Sequence, residues 1–323
     1  MTMTARPPEL SVVVPVFNEH DNLPELYRRL VASLDGQTDG YELVFVNDGS
    51  RDSTPDILRG ILEQDPRVVG VHLSRNFGHQ AAISAGIDQA RGRCVAIIDG
   101  DLQDPPEVIP DFIRMWRSGY DVVYAVRTKR KEGALKRLGY FVFYRLLSLM
   151  SEIDFPLDSG DFCVMDRKVV DALKTLPERM RFVRGLRTFV GFRQIGLAYE
   201  RHARWAGEPK YPMRALVRLA VDGLVSFSSY PLRLATYLGI IAALTALGLG
   251  VWVLLDAVRY RTAPQGWAST VIIVIFMGAM QLISLGIIGE YVRRIFVEAK
   301  QRPPYIIGSI ERRNDEPPER RQT

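Results

Sequence analysis

Cysteine is scarce in this chain: Cys94 and Cys163 are the only two in 323 residues. Two thiols so far apart give neither a metal-type spacing nor a disulfide framework, so a reducing, cytosolic setting is expected. Met1–Glu9 holds no apolar run of the kind that drives export, and the first domain is expected to stay inside the cell. No G-x-G-x-x-G follows any strand-like segment, which removes the main support for dinucleotide binding. Charge of one sign is not abundant either. The formal balance of +5 is modest for a nucleic-acid binder, and no nucleic-acid partner is expected. Much of the excess lies in Arg127–Arg137 and beside the apolar runs described next, where anionic lipid is the better-matched partner.

Long uncharged runs are present, and only in the last third of the chain. Ala235–Leu255 and Ala268–Ile288 would each extend about 31 Å as helices, close to the roughly 30 Å of a bilayer's hydrocarbon core. A buried core helix is rarely so long without a charge, so two transmembrane helices are predicted at about 235–255 and 268–288. The short loop Asp256–Trp267 makes them a hairpin. Arg214, Arg218 and Arg233 precede it and Arg293, Arg294, Lys300 and Arg302 follow it, against Arg259 and Arg261 in the loop. That bias places both termini in the cytoplasm, at an inner or plasma membrane. Met213–Phe227 mixes Leu216, Val217, Leu219, Leu224 and Phe227 with Arg214, Arg218 and Asp222, a pattern for an amphipathic helix in the interface; a surface helix packed on the domain is the competing possibility. The expected organisation is a cytoplasmic α/β domain over 1–211, an interfacial segment over 212–233, the hairpin over 234–290 and a cytoplasmic tail over 291–323. After Gly308 the tail is charged and Pro-containing, and disorder is expected there.

From Leu10 to about Ala125 short apolar strands alternate with helices. Leu10–Val16, Leu43–Val46, Val68–Leu73, Val95–Ile98 and Val122–Ala125 read as strands, and Leu23–Leu34, Pro55–Gln64, Gln80–Ala90 and Val108–Ser118 as helices. Apolar strands separated by helices predict a mainly parallel sheet covered on both faces. Ser53 or Thr54 is placed to cap the helix at Pro55, and Asp104 the turn at Pro105. Ligands of such sheets collect at the carboxyl ends of the strands. Polar clusters stand there: Phe17-Asn18-Glu19, Asn47-Asp48-Gly49-Ser50 and Asp99-Gly100-Asp101.

Two carboxylates one residue apart at a strand end can share a hard divalent cation, and Gly100 between them allows close approach. Acidic pairs at loop starts also serve as helix caps, but the surrounding Val95–Glu107 sequence favours metal at Asp99 and Asp101, with Gln103 a candidate third oxygen ligand. Glu19 and Asp48 can accept hydrogen bonds from a base N–H or ribose hydroxyls, with Pro15 ordering the first loop. Alone, either would more often cap a helix or turn.

These segments are similar to a known family. Val14-Pro15-Val16-Phe17-Asn18-Glu19, Val46–Thr54, Leu73-Ser74-Arg75-Asn76-Phe77-Gly78 and Asp99–Glu107 resemble family-two glycosyltransferases. Ser159-Gly160-Asp161-Phe162, Pro177–Gly185 and Arg201–Pro212, with both apolar runs, extend the resemblance to the polyprenyl-phosphate hexosyltransferases over nearly the whole chain. The Gly207-Glu208-Pro209-Lys210-Tyr211-Pro212 stretch and the hairpin are closer to bacterial glucosyl-type members than to soluble mannose synthases. The resemblance implies a GT-A fold, inversion at the sugar carbon, and a divalent cation, Mg²⁺ or Mn²⁺, on Asp99 and Asp101. It also implies a nucleoside held by Pro15, Glu19 and Asp48, with Phe17 and Gly78 from the same motifs, and assembly of copies through the membrane helices. Asp161 falls where the family has its catalytic carboxylate, although Asp158 or Asp161 could instead cap a turn beside Gly160. Two departures stand out. Gly100 occupies a position where alanine is usual, and no harm is expected from it. Arg201-His-Ala-Arg-Trp205 echoes the Q-x-x-R-W of processive synthases with Arg for Gln, and two spans are few for a polymer channel, so processive synthesis is not expected.

The expected reaction passes a hexose, by preference glucose from UDP-glucose, to polyprenyl phosphate. A phosphate monoester with a second pKa of about 6 is largely a dianion at neutral pH, so no strong base is needed to ionise it. Neutralising the departing diphosphate and the repulsion between two phosphates are the larger tasks. Arg201, Arg204 and Lys210 are candidates for those phosphates, and Arg127, Lys129, Arg130 and Lys131 for gathering the acceptor, with Arg127 and Arg201 the preferred catalytic pair. A juxtamembrane patch that merely holds lipid would look the same. By the same reasoning Asp161 is expected to position acceptor or sugar rather than remove a proton. GDP-mannose or a modified arabinose donor stays open, as does a membrane-tethered sugar-nucleotide sensor without turnover.

Overall fold

The computed structural model describes residues 7–127, 159–179, 181–200, 230–260 and 266–313. They fall in two units, one holding the described residues up to 200 together with 302–313, the other those between 230 and 301.

In the first unit the order is β1 (Leu10–Val16), α1 (Leu23–Leu34), β2 (Tyr41–Asn47), α2 (Thr54–Gln64), β3 (Val68–Leu73), α3 (His79–Gln89), β4 (Cys94–Ile97), a 3₁₀ turn at Pro106–Val108, α4 (Ile109–Arg117) and β5 (Val122–Arg127). Then come β6 (Ser159–Asp166), α5 (Arg167–Thr175), α6 (Val183–Phe189) and β7 (Gln194–Tyr199). All seven residues of β1 and of β2 are buried, as strands covered on both faces must be. Leu10, Val12 and Val14 face the side covered by α1, whose Leu23, Leu26, Leu30 and Leu34 recur at helical spacing and are fully buried. Each such leucine contributes about 2–3 kcal/mol of apolar burial. Val13 faces the other side, against Gly86 of α3, where a Cβ would come within 2.2 Å of its Cγ1.

With a last strand, β8 (Ile307–Arg312), strand order across the sheet is β7-β5-β6-β4-β1-β2-β3-β8. Strands β4, β1, β2 and β3 run parallel, and β1 and β2 end level, with Val16 opposite Asn47. The loops after them therefore open side by side. Strand β6 lies antiparallel between β4 and β5 and pairs Cys163 with Ile97. Continuing that register by two residues brings Asp161 level with Asp99, joining two carboxylates that are far apart in sequence.

Two expectations are corrected here. The start of the tail after Gly308 is ordered: Ile307–Arg312 forms β8, antiparallel to β3, with Val71 opposite Ile310, while 314–323 lie outside the described residues. The free edge of β3 supplies the backbone partners, and Ile307 and Ile310 suit a strand that Glu311, Arg312 and Arg313 disguise by charge. The capping assignments also differ. Ser53 makes no side-chain cap, while Thr54 is already helical and its Oγ1 accepts the Glu19 amide at 3.0 Å. Asp52, one residue before the N-cap, accepts the Thr54 amide at 3.1 Å instead. Asp104 turns inward and accepts the Tyr199 hydroxyl, leaving the Pro105 turn without a side-chain cap.

The second unit contains α7 (Tyr230–Tyr260) and α8 (Trp267–Ala299), which pack on each other. Both run past the predicted spans: α7 takes in part of the expected loop, and α8 continues through Glu290, Arg293 and Arg294, which form i,i+3 and i,i+4 ion pairs. Ala235–Trp252 and Ile273–Ala299 are long and apolar enough to cross a membrane, with mean hydropathy 1.7 and 1.9. Leu244, Leu247, Ile275 and Leu282 are among their exposed apolar side chains. The segment 213–227 lies outside the described residues.

Candidate active site

The loops after β1 and β2 are laced together before any ligand is considered. The Asn18 amide donates to Ser50 Oγ at 3.0 Å, and Asn18 Oδ1 accepts the Arg51 amide at 2.8 Å. Asn47 Oδ1 closes its own turn on the Ser50 amide at 2.9 Å. Gly49 is required there: its φ is +68°, and a Cβ would stand 2.6 Å from the backbone of Arg75 and Asn76. Asn18 also sits at positive φ, 53°, a region asparagine tolerates better than most residues. Between these loops and the end of β3 opens a cleft of about 580 Å³ lined by Phe17, Asn18, Asn47, Gly49, Arg51 and Arg75. That volume lies within the range of small-molecule sites.

Two nucleoside candidates prove to be partly engaged already. Asp48 is buried and accepts the Phe77 amide at 2.7 Å on one oxygen and the Gly78 amide at 2.9 Å on the other, fixing the turn that starts α3. Burial pushes its carboxyl above the usual range, and the two amides oppose that shift. Glu19 is 9% exposed and accepts the Asn22 side-chain amide at 2.5 Å. Each oxygen of Asp48 can accept a second hydrogen bond, so these two amides do not by themselves exclude a ligand there. Pro15 presents its carbonyl to Gly100, whose missing Cβ would come within 3.0 Å of that oxygen and 3.1 Å of Val16 Cγ1. Alanine at this position would require those neighbours to give by a few tenths of an ångström.

The acidic centre forms where β4 ends and β6 begins. His79, the first residue of α3, places Nε2 3.4 Å from Asp99 Oδ1 and 3.6 Å from Asp161 Oδ2. Burial alone would lower its pKa, but Asp99, then Asp161 and Asp101, raise it to about 9, so the imidazole is a cation between carboxylates. Burial pushes Asp99 up, opposed by His79 and reinforced by Asp104, Asp161 and Asp101. Asp161 goes the other way. Burial disfavours its charge, but Arg184, with Nε 3.6 Å from Oδ1, together with His79 and Arg187, holds it well below the usual carboxylate range. Asp101 Oδ1 accepts the Gln103 amide at 3.2 Å, closing a turn in which buried Leu102 takes φ +59°. A branched side chain in that conformation costs about 1–2 kcal/mol, strain that the surrounding fold must hold.

Among the described residues no group of three or more His, Cys, Asp or Glu side chains is arranged as a complete metal cage. The donors nonetheless fit a cation that shares its shell with a ligand. Asp99 Oδ1 is buried without a hydrogen-bond partner, and Asp101 follows two residues on. A cation such as Mg²⁺ commonly takes one or two carboxylates and completes its shell with water and substrate phosphate oxygens.

The structure thus brings together Pro15, Phe17, Glu19, Asp48, Gly78, Asp99, Asp101, Gln103 and Asp161 on the open ends of neighbouring strands. Arg127 is the last residue of β5, and nothing is described of its side chain. Arg130, Arg201, Arg204 and Lys210 lie outside the described residues, as do Lys129, Lys131 and Asp158. Sequence reasoning assigned no role to His79, Gln80, Arg184 or Arg187. Arg187 is 1% exposed, with its guanidinium carbon 5.2 Å from the Tyr124 ring centre. The run Pro177–Gly185 signals Arg184, but its contact with Asp161 depends on how α6 packs.

A parallel α/β sheet with one antiparallel insertion and an acidic pair at its switch region is the GT-A architecture of glycosyltransferases. The profile described as Glycosyl transferase family 2 matches residues 11–174, and the chain belongs to that family. It is an enzyme of the glycosyltransferase class. It is 48% identical over 300 residues to the uncharacterized glycosyltransferase YkcC of Bacillus subtilis (strain 168), covering 93% of each chain. It is 39% identical over 305 residues to the prophage bactoprenol glucosyl transferase homolog of Escherichia coli (strain K12), covering 94% of this chain and all of that one. Bactoprenol glucosyl transferase of Shigella phage SfII is 40% identical over 307 residues, covering 95% of this chain and 99% of that one.

Proposed function

We propose that the chain transfers glucose from UDP-glucose to a polyprenyl phosphate, inverting the sugar carbon, with the α7–α8 hairpin in the membrane and both termini cytoplasmic. The convergence of Asp99, Asp101 and Asp161 at the strand ends carries this reading. Relatives named bactoprenol glucosyl transferase, matched over nearly their whole length, support both the lipid acceptor and the sugar. The exposed apolar surface of α7 and α8 and the arginines flanking them support the membrane placement.

In this reading Asp99 and Asp101 hold the divalent cation, with Gln103 as a further oxygen donor. When bound, the cation neutralises charge on the departing diphosphate. Pro15, Phe17, Glu19, Asp48 and Gly78 receive the nucleoside. A phosphate oxygen of the acceptor forms the new bond to the anomeric carbon, and the old bond breaks with its electron pair leaving on UDP. No proton has to move, because the acceptor is already ionised. Asp161 fits that requirement: a carboxylate held so far toward its ionised form is a poor general base at neutral pH, but a firm acceptor for sugar hydroxyls. Arg127, Arg130, Arg201, Arg204 and Lys210 are the proposed counter-charges for the two phosphates.

Purified protein in detergent with undecaprenyl phosphate, Mg²⁺ or Mn²⁺ and radiolabelled donor tests this directly. Label should pass to lipid from UDP-glucose, and chelation or Asp101→Ala should abolish it. Transfer from GDP-mannose but not UDP-glucose would overturn the sugar assignment. No lipid product from any nucleotide-sugar under any of these conditions would overturn the reaction.

A further inference from the structure

Gln80 makes two hydrogen bonds, one to a helix and one to a strand of the sheet. Its Oε1 accepts the Val183 amide at 2.8 Å, and its Nε2 donates to Asp161 Oδ2 at 3.0 Å. The orientation of the amide is not ambiguous. A backbone N–H can only donate and a carboxylate can only accept, so oxygen must face Val183 and nitrogen must face Asp161. Val183 is the first residue of α6, and Arg184, one residue on, reaches Asp161 Oδ1. Through one side chain, α3 therefore fixes both the carboxylate of Asp161 and the level at which the Arg184-bearing helix approaches it. Asp161 Oδ1 has no hydrogen bond of its own; beside the longer ion pairs with His79 and Arg184 at 3.6 Å, the Gln80 N–H is the short, directional contact on this carboxylate.

We propose that Gln80 is the positioning residue for Asp161: it holds that carboxylate at the angle from which it meets the sugar or the acceptor. The inference rests on Asp161 having the role given above. Substitution can separate the two bonds. In Gln80→Glu the new carboxylate still accepts the Val183 amide, but has no N–H to give Asp161 and repels it instead. A residue that merely anchored α6 would tolerate this change, whereas one that positions Asp161 would not.

The experiment compares wild type, Gln80→Glu, Gln80→Ala, Asp161→Asn and Gln80→Ala/Asp161→Asn as full-length protein in detergent. It measures kcat, UDP-glucose affinity by calorimetry and thermal midpoint. Gln80→Glu should lower kcat about 10- to 100-fold, as loss of a charge-assisted hydrogen bond does, with donor affinity close to wild type. Gln80→Ala should lower kcat alone, but add nothing to the loss already caused by Asp161→Asn, the mark of two residues acting as a unit. Wild-type kcat in Gln80→Glu, or a fall matched by equal loss of donor affinity and stability, would overturn the inference. So would a full additional loss in the double variant, which also decides the matter if Gln80→Glu fails to fold. Failure of wild type to turn over would count against the proposed reaction, whereas these outcomes concern Gln80 alone.

Discussion

Asp99, just past the end of β4, and Asp161, near the start of β6, are the same side chain, yet their neighbours drive them apart. Asp99 sits among other carboxylates, and burial makes its charge costly; Asp161 has Arg184, Arg187, His79 and Gln80 around it and stays ionised. The first is suited to a shared cation and the second to accepting hydrogen bonds, which is a division of labour set by environment rather than residue type. Asp161→Asn keeps the shape but removes the charge and half of the accepting capacity. Transfer should fall by about 100-fold or more, while UDP-glucose affinity by calorimetry changes by no more than about threefold. Equal losses in both would place Asp161 in donor binding instead. A second prediction concerns stability. Burial pushes the Glu9 carboxyl up, but hydrogen bonds from Arg117 and the Asp39 amide, with the charges of Arg117 and Arg93, outweigh it and hold its pKa below the reference of 4.5. A carboxylate depressed in the folded state stabilises above its unfolded pKa, and that contribution disappears as pH falls through the folded value. Glu9→Gln should therefore cost about 1–2 kcal/mol at pH 7, with the difference from wild type shrinking in denaturant melts as pH falls below the reference of 4.5.

At the level of elements, β8 shows what charge can hide. It closes the β3 edge, and just before it Tyr305 donates to Asp88 of α3. Truncation after Gln301 should uncover that edge and lower the thermal midpoint by about 4–8 °C, the scale of about 2 kcal/mol in a chain of this size. An unchanged midpoint would mean that the strand contributes nothing to the first unit. Strands β1 to β5 and helices α1 to α4 were legible in the sequence because each carries its own pattern: continuous apolar runs for buried strands, and a four-leucine stripe for α1. The acidic ends of β1, β2 and β4 were legible for the same local reason. What the sequence could not reveal was long-range. Asp161 faces Asp99 only because β6 inserts antiparallel at one register, and Gln80 reaches Val183 only because α6 docks on α3. No local pattern marks His79 or Gln80, which follow Gly78 as ordinary polar residues at a helix start. Asp48 was read as a ligand for nucleoside, and its two amide bonds to Phe77 and Gly78 show that it also builds the loop.

Across the whole molecule, a sheet with an acidic rim and a pair of long apolar helices belong to one chain, and the proposed reaction gives both a purpose. The donor is water-soluble and the acceptor is dissolved in lipid, so the enzyme must meet one in each phase. An ionised phosphate on the acceptor then removes the need for a general base, in keeping with an Asp161 that is held ionised. The central claim is that this phosphate, rather than a hydroxyl, is what attacks. The most direct measurement compares radiolabel transferred from UDP-glucose to undecaprenyl phosphate and to undecaprenol, the same lipid without the phosphate, in matched detergent micelles. Label should appear on the phosphate-bearing lipid and be absent from the alcohol. Equal labelling of the alcohol, or labelling of neither lipid, would contradict the account.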